Sequence, residues 1–217
     1  MSLSPSTLFD IYSQFAFYGA YHTNRINILI HIICVPLILC ALFQLSNECS
    51  KTDDLSGSAQ AMASHVLVFP VHHTFSDYLV FDFNFPALAA AAYFAYYFAL
   101  EPVAALLYAP LMVLSVLTAT AFARSPSYMT QAAILHAACW IAQFLGHGLA
   151  EKRSPALLDN ILGAVVLAPF FVHLEILFAL GYRPEMHKRL TNEIGKEIAK
   201  MGKVQGDRRR GPATKAI

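Results

Sequence analysis

Five stretches of this chain, residues 26–45, 84–100, 103–122, 130–150 and 156–181, are almost wholly apolar. Acidic residues enter only the last of them, as Asp159 and Glu175. A run of about 20 apolar residues matches a ~30 Å hydrocarbon core at ~1.5 Å of helix rise per residue. In that core every backbone polar group must be satisfied within the chain, and a helix does so by itself. The sequence therefore reads as an all-α, polytopic transmembrane helical bundle of about four to six membrane segments. Charged residues make up 13% of the chain, against about 25% in soluble domains. The formal net charge of +1 gives no case for nucleic-acid binding. The four cysteines show no zinc-like spacing and imply no disulfide framework.

The segments between these runs set the organisation. Residues 5–20 read as an amphipathic N-terminal helix with an aromatic bias, lying at the membrane interface. Residues 46–82 read as a polar loop insertion. The Glu101-Pro102 hinge is so short that 84–100 and 103–122 must form an antiparallel hairpin. Basic residues orient the bundle: Arg25 and Lys152-Arg153 belong on the cytosolic side. This orientation places His22, His31 and His147 near one face. The run 156–181 contains Pro169, His173 and Glu175, and is read as a re-entrant hairpin bent at Pro169, which keeps the basic C-terminus cytosolic. Residues 185–203 form a basic amphipathic helix, followed by a disordered tail from Gln205.

Four histidines, His22, His31, His136 and His147, lie within or at the mouths of the apolar runs. Ionisable groups at membrane depth are costly and mark function, and imidazole is the commonest side-chain metal ligand. Asn24, Asn27 and His31 share one helix face by their spacing of three and four. His136, Trp140, Gln143, His147 and Glu151 form a second stripe that must face protein or a wet cavity. His22, His31 and His147 are read as metal ligands. His136 either ligates or hydrogen-bonds a neighbouring helix. It stands eleven residues before His147, roughly 16 Å along a straight helix. An imidazole and its metal bond cannot span that distance unless Gly146 and Gly148 break the helix. Asn24, Asn27 and Gln143 are supporting donors or packing groups. Glu151 is a ligand, an outer partner of His147, or a surface carboxylate paired with Lys152, the second role being preferred. Arg153 is a membrane-side anchor or a fork for a substrate carboxylate. His72-His73 are expected to be solvated.

Two motifs carry a resemblance. Tyr21-His22-x-Asn24-x-x-Asn27-x-x-x-His31 with Val35-Pro36, and His136-x3-Trp140-x2-Gln143-Phe144-x-Gly146-His147-x3-Glu151-Lys152-Arg153-x-Pro155-Ala156-Leu157, resemble the fungal and bacterial 2-hydroxy fatty acid dioxygenases. The resemblance runs from about residue 8 to 183. It implies a multi-pass endoplasmic-reticulum enzyme that uses Fe(II) and O2 to shorten a long-chain 2-hydroxy fatty acid by one carbon, as in phytosphingosine breakdown. It implies that His22, His31, His136 and His147 hold the iron. Glu151 and Arg153 then take catalytic roles, and Asn24, Asn27, Gln143 and Lys152 support the substrate or the ligands. Its partners are the fatty acid, O2 and membrane lipids. On this reading residues 1–184 are a single membrane-embedded catalytic domain and residues 185–217 an appendage.

Two other classes compete. A di-iron lipid hydroxylase or desaturase needs about eight histidines in HxxxH and HxxHH clusters, and only His72-His73 resembles a fragment of one. A transporter or membrane-shaping protein can use intramembrane polar residues as a relay, but no inverted repeat is visible.

Overall fold

A computed structural model describes residues 5–47, 71–152, 155 and 161–210. The order is α1 (Pro5–Leu8), α2 (Ile11–Gly19), α3 (Arg25–Ser46), β1 (His72–Ser76), β2 (Leu79–Asp82), α4 (Phe85–Leu100), α5 (Pro102–Phe122), α6 (Tyr128–Leu145), a π-helical segment (Gly146–Glu151), α7 (Ile161–Ala179) and α8 (Pro184–Arg210). It is a helical bundle, as its apolar runs require. Among the described residues three helices are long and apolar enough to cross a membrane: Arg25–Ser46, Pro102–Phe122 and Tyr128–Glu151. Phe85–Leu100 and Val165–Ala179 are shorter apolar helices.

Polar side chains cap the starts of four of these helices. Asp10 accepts from the backbone N–H groups of Tyr12 and Ser13, both at 3.2 Å. Asn24 accepts from Ile26 N–H at 2.9 Å, and Asn84 from Ala87 N–H at 3.0 Å. Glu101 caps α5 by accepting from Ala104 N–H, with Pro102 pre-set at the first helical position. The same buried carboxylate accepts from Tyr182 Oη and Arg183 Nη1, both at 2.9 Å. It thereby fastens the α4–α5 hinge to the α7–α8 corner, where Gly181 (φ 86°) and Arg183 (φ 40°) turn the chain. Burial and Glu101 push the Tyr182 phenol up to about 12, so it stays a donor to that carboxylate.

Four local expectations change. The loop 46–82 ends in an antiparallel β-hairpin, His72 pairing with Asp82 and Thr74 with Val80. β1 is exposed along its length, whereas β2 packs on α5 and buries Val80. His72 and His73 are exposed, as expected. The N-terminal aromatics divide: Phe15 packs edge-on against Phe171 at 5.0 Å, and Phe15 and Tyr18 are buried, whereas Phe9 is exposed. Asp10 divides that segment into α1 and α2. No re-entrant hairpin forms at Pro169, because α7 runs through it as one helix. A proline removes one backbone bond and kinks a helix without ending it when neighbours supply partners. Tyr97 braces this stretch beside the Val165 carbonyl that Pro169 leaves without its N–H: its Oη donates to Val166 O, and its ring stacks on Phe170 at 4.6 Å. Finally, α8 continues to Arg210, beyond the expected helix end at Lys203. It docks on α2, with Leu190 fully buried and Arg189 lying 4.0 Å over the Tyr12 ring.

The polarity of the long helices is turned inward. Ile26, Leu29, Ile33, Ile134, Ile141 and Leu145 are exposed, whereas Asn27, His31, Gln143 and His147 are buried. Such an arrangement suits a lipid surround, where polar groups must find partners inside the bundle. It also puts α3 against α6, the most extensive helix pair of the fold.

Candidate metal centre

The turn between α2 and α3 places His22, and its ring Nδ1 lies 2.8 Å from Tyr18 O. One turn into α3, His31 Nδ1 lies 2.9 Å from Asn27 O. A nitrogen facing a carbonyl must carry the proton, so Nδ1–H donates in both rings and each Nε2 keeps its lone pair. His147 arrives from the π segment, and its Nδ1 is buried with no hydrogen-bond partner among the described residues. Ring centroids stand 4.4 Å (His22–His31), 4.8 Å (His22–His147) and 4.9 Å (His31–His147) apart. One ring nitrogen from each lies within 4.8 Å of the others. His22 Nε2 is also buried and unpartnered among the described residues. Burial, with His31 beside it, pushes the His22 imidazole well below its ordinary value, which keeps it neutral. Three neutral buried imidazoles with converging free nitrogens fit a divalent metal ion: the ion supplies the partner they lack.

The helix reaches this geometry by changing its winding. From Gly146 to Glu151 the backbone takes π form, and Lys152 N–H closes it onto His147 O from a left-handed conformation (φ 56°). Gly146 permits the close approach of α3. A Cβ there would stand 2.7 Å from Asn27 Oδ1 and 3.1 Å from Ile30 Cδ1. Gly146→Ala is expected to cost about 1–3 kcal/mol through overpacking and to lower metal retention, as read by thermal unfolding and metal analysis of the purified variant.

Glu151 is engaged by the turn that carries His22. Its carboxylate accepts from Thr23 N–H (3.0 and 3.1 Å), Asn24 N–H (2.8 Å), Asn27 Nδ2 (3.3 Å) and the Thr23 hydroxyl. Asn24 Nδ2 donates to Ala150 O at 3.0 Å. A buried carboxylate thus sits at the N-terminus of α3, where the helix dipole favours it. The expected hydrogen bond from Glu151 to His147 does not form, because the π winding aims the carboxylate across to α3. The pairing with Lys152 does not form either, and Lys152 is exposed. Arg153 lies outside the described residues.

His136 is not brought to the cluster. Its Nε2 accepts from Trp140 Nε1 at 3.0 Å, which occupies that lone pair. The π segment re-aims His147 and Glu151 but does not shorten the rise between His136 and His147. Gln143 is buried beside the three histidines, and its Nε2 has no partner among the described residues.

An apolar cavity leads away from the centre. Its wall includes Tyr18, His22, His31, Trp140, Gln143 and His147 at one end and Val35, Ile38, Leu39 and Leu42 along α3. Its cavity volume is about 70 Å³. Tyr18, stacked on His22 with centroids 4.0 Å apart, belongs to this wall. Nothing in the sequence pattern singled it out beyond its place one helical turn before His22.

Residues 8–180 match the sequence profile of the family described as 2-hydroxy-palmitic acid dioxygenase Mpo1-like. The chain belongs to this family. The Mpo1-like match covers all three clustered histidines, Glu151 and the cavity wall, and ends before α8. The chain is also 33% identical over 187 residues to the 2-hydroxy-palmitic acid dioxygenase MPO1 of Saccharomyces cerevisiae, covering 86% of this chain and 91% of that protein. No solved structure matches the chain.

Proposed function

We propose that this protein is an Fe(II)-dependent dioxygenase that converts a long-chain 2-hydroxy fatty acid to the acid one carbon shorter. The observation that carries this reading is the cluster of His22, His31 and His147 at the head of an apolar cavity, in a chain of the Mpo1-like family. The reaction balances without a further reductant: R-CH(OH)-COOH and O2 give R-COOH, CO2 and H2O, the substrate losing four electrons and O2 gaining four. When bound, iron supplies O2 activation and a Lewis-acid centre beside the substrate's hydroxyl and carboxylate. His22, His31 and His147 hold the ion, and Tyr18 O and Asn27 O fix two of the rings in the tautomer that presents Nε2. His136 orients the Trp140 indole in the cavity wall. Glu151, Asn24 and Asn27 fasten the His22 turn to the segment that carries His147. Lys152 and Arg153 steer the acid at the membrane surface. The apolar wall excludes water and receives the acyl chain from the bilayer.

Residues 1–184 form the membrane-embedded catalytic unit, 185–217 the basic appendage, and the enzyme works in the endoplasmic-reticulum membrane on fatty acids from phytosphingosine breakdown. The test incubates detergent-purified, iron-loaded protein with 2-hydroxypalmitate and O2 and follows the products by mass spectrometry. Pentadecanoic acid with one equivalent of CO2 is expected, and loss of turnover on chelation that iron alone restores. Unchanged substrate with bound iron defeats the proposal.

The cavity also predicts chain-length control. From His31 to Leu42 the wall follows α3 for roughly 16 Å. Leu42→Ala is expected to move the preferred substrate to longer chains and Leu42→Phe to shorter ones. Each added or lost methylene contact changes relative kcat/KM by about 10–200-fold, measured by competition among 2-hydroxy acids of different length.

A further inference from the structure

Besides the histidines, two buried polar side chains in the cavity wall have a polar atom with no hydrogen-bond partner among the described residues. Tyr18 is 6% exposed and Gln143 is 7% exposed. Tyr18 Oη and Gln143 Nε2 are both shielded from solvent and hydrogen-bond to nothing among the described residues. Both residues line the cavity that the three histidines head. They come from different elements, α2 and α6, on either side of the cluster: Tyr18 stacks on His22, and Gln143 stands one helical turn before His147. The Glu175 carboxylate on α7 is near enough to act on Tyr18 electrostatically but takes no hydrogen bond from it. An orphaned buried donor is a net cost to the fold, and native proteins keep one where a ligand completes it. Each of these groups can donate, since a phenol carries one O–H and a primary amide two N–H.

We propose that Tyr18 Oη and Gln143 Nε2 are the donors that grip the acid head of the substrate at the metal centre. The inference rests on the proposed 2-hydroxy fatty acid substrate. A carboxylate offers several lone-pair sites, enough to accept from both donors while still facing the histidine cluster. Hydrogen bonds to a charged acceptor are about twice as strong as neutral ones, so the pair would distinguish a free acid from its ester. Apart from the Tyr93 phenol and the Trp140 indole, which donates to His136, the rest of the wall beyond the histidines is apolar.

The chain contains a single tryptophan, Trp140, and it lines this same cavity. Its fluorescence therefore reports occupancy without turnover. The experiment titrates iron-loaded protein, in detergent and without O2, with 2-hydroxypalmitate and with its methyl ester. Wild type, Tyr18→Phe and Gln143→Leu are compared, and iron content is measured on every sample. The expected result is that wild type binds the acid more tightly than the ester, and that each substitution weakens acid binding roughly tenfold while ester affinity and iron content hold. Wild-type discrimination in both variants overturns the proposal. Loss of iron from the variants also overturns it, because the two side chains then serve to hold His22 and His147 in place. Failure of the acid to perturb Trp140 in wild type defeats the substrate reading itself and this inference with it. Normal conversion of 2-hydroxypalmitate by variants that bind it like wild type removes the inference alone.

Discussion

Single replacement of His22, His31 or His147 by alanine is expected to strip the metal and lower turnover of 2-hydroxypalmitate by more than about 100-fold. Loss of an outer-sphere partner alone costs roughly 10–100-fold in metal affinity or activity, and removal of one of three converging imidazoles leaves two ligands in an apolar cleft. The rings stand within 4.9 Å of one another, centroid to centroid, so none can be replaced by a distant neighbour. His136→Ala is the contrasting variant. It removes the acceptor of the Trp140 indole and is expected to cost about 1–3 kcal/mol of stability for the orphaned donor, while the metal stays. Metal analysis of the four purified variants decides the matter. Equal metal loss from His136→Ala would place a fourth imidazole on the ion and require a rearrangement of α6.

Glu151→Ala is expected to destabilise the protein by at least about 3 kcal/mol and to weaken metal binding roughly 10–100-fold. The carboxylate gathers two backbone N–H groups, a hydroxyl and an amide from residues 23–27. Without it the buried Asn27 amide and the half-buried Asn24 N–H lose their acceptor, and the turn that aims His22 loses its only tie to the π segment other than the Asn24–Ala150 bond among the hydrogen bonds described. Glu151→Gln keeps the shape but turns an NH2 toward other donors, so it is expected to recover little. Thermal unfolding in detergent, with and without added iron, reads the stability arm. If Glu151→Gln keeps its unfolding temperature and its iron but loses turnover, the carboxylate acts on substrate rather than on the scaffold.

Much of this site is visible in residue spacing. Asn24, Asn27 and His31 share one face at the start of α3, and His136, Trp140 and Gln143 follow one stripe of α6 until the π segment begins, because α-helical periodicity is a local property. Asn24 caps α3 as its position suggests. A straight helix cannot bring His136 and His147 to one point, and the π segment begins only at Gly146, ten residues after His136. What spacing does not reveal is where a carboxylate turns once the winding changes. Glu151 is one turn from His147 in the sequence, yet it bonds to residues more than a hundred positions away. Tyr18 was equally hidden, since its role comes from stacking on His22 and sharing a wall with Gln143. Pro169 marks the opposite case, a local signal overridden by partners such as Tyr97 from another helix.

The sequence by itself determined that the chain is a helical membrane bundle and that the polar side chains within its apolar runs, Asn27, His31, Gln143 and His147, face inward, because such runs satisfy their backbone in lipid as helices and must find partners for polar side chains inside the bundle. Only the tertiary structure decided which histidines meet. That choice depends on the close approach of α3 and α6 at Gly146, on a change of helical winding, and on one buried carboxylate that ties two distant segments together. Such contacts join residues far apart in the chain, and no local pattern encodes the distance between them.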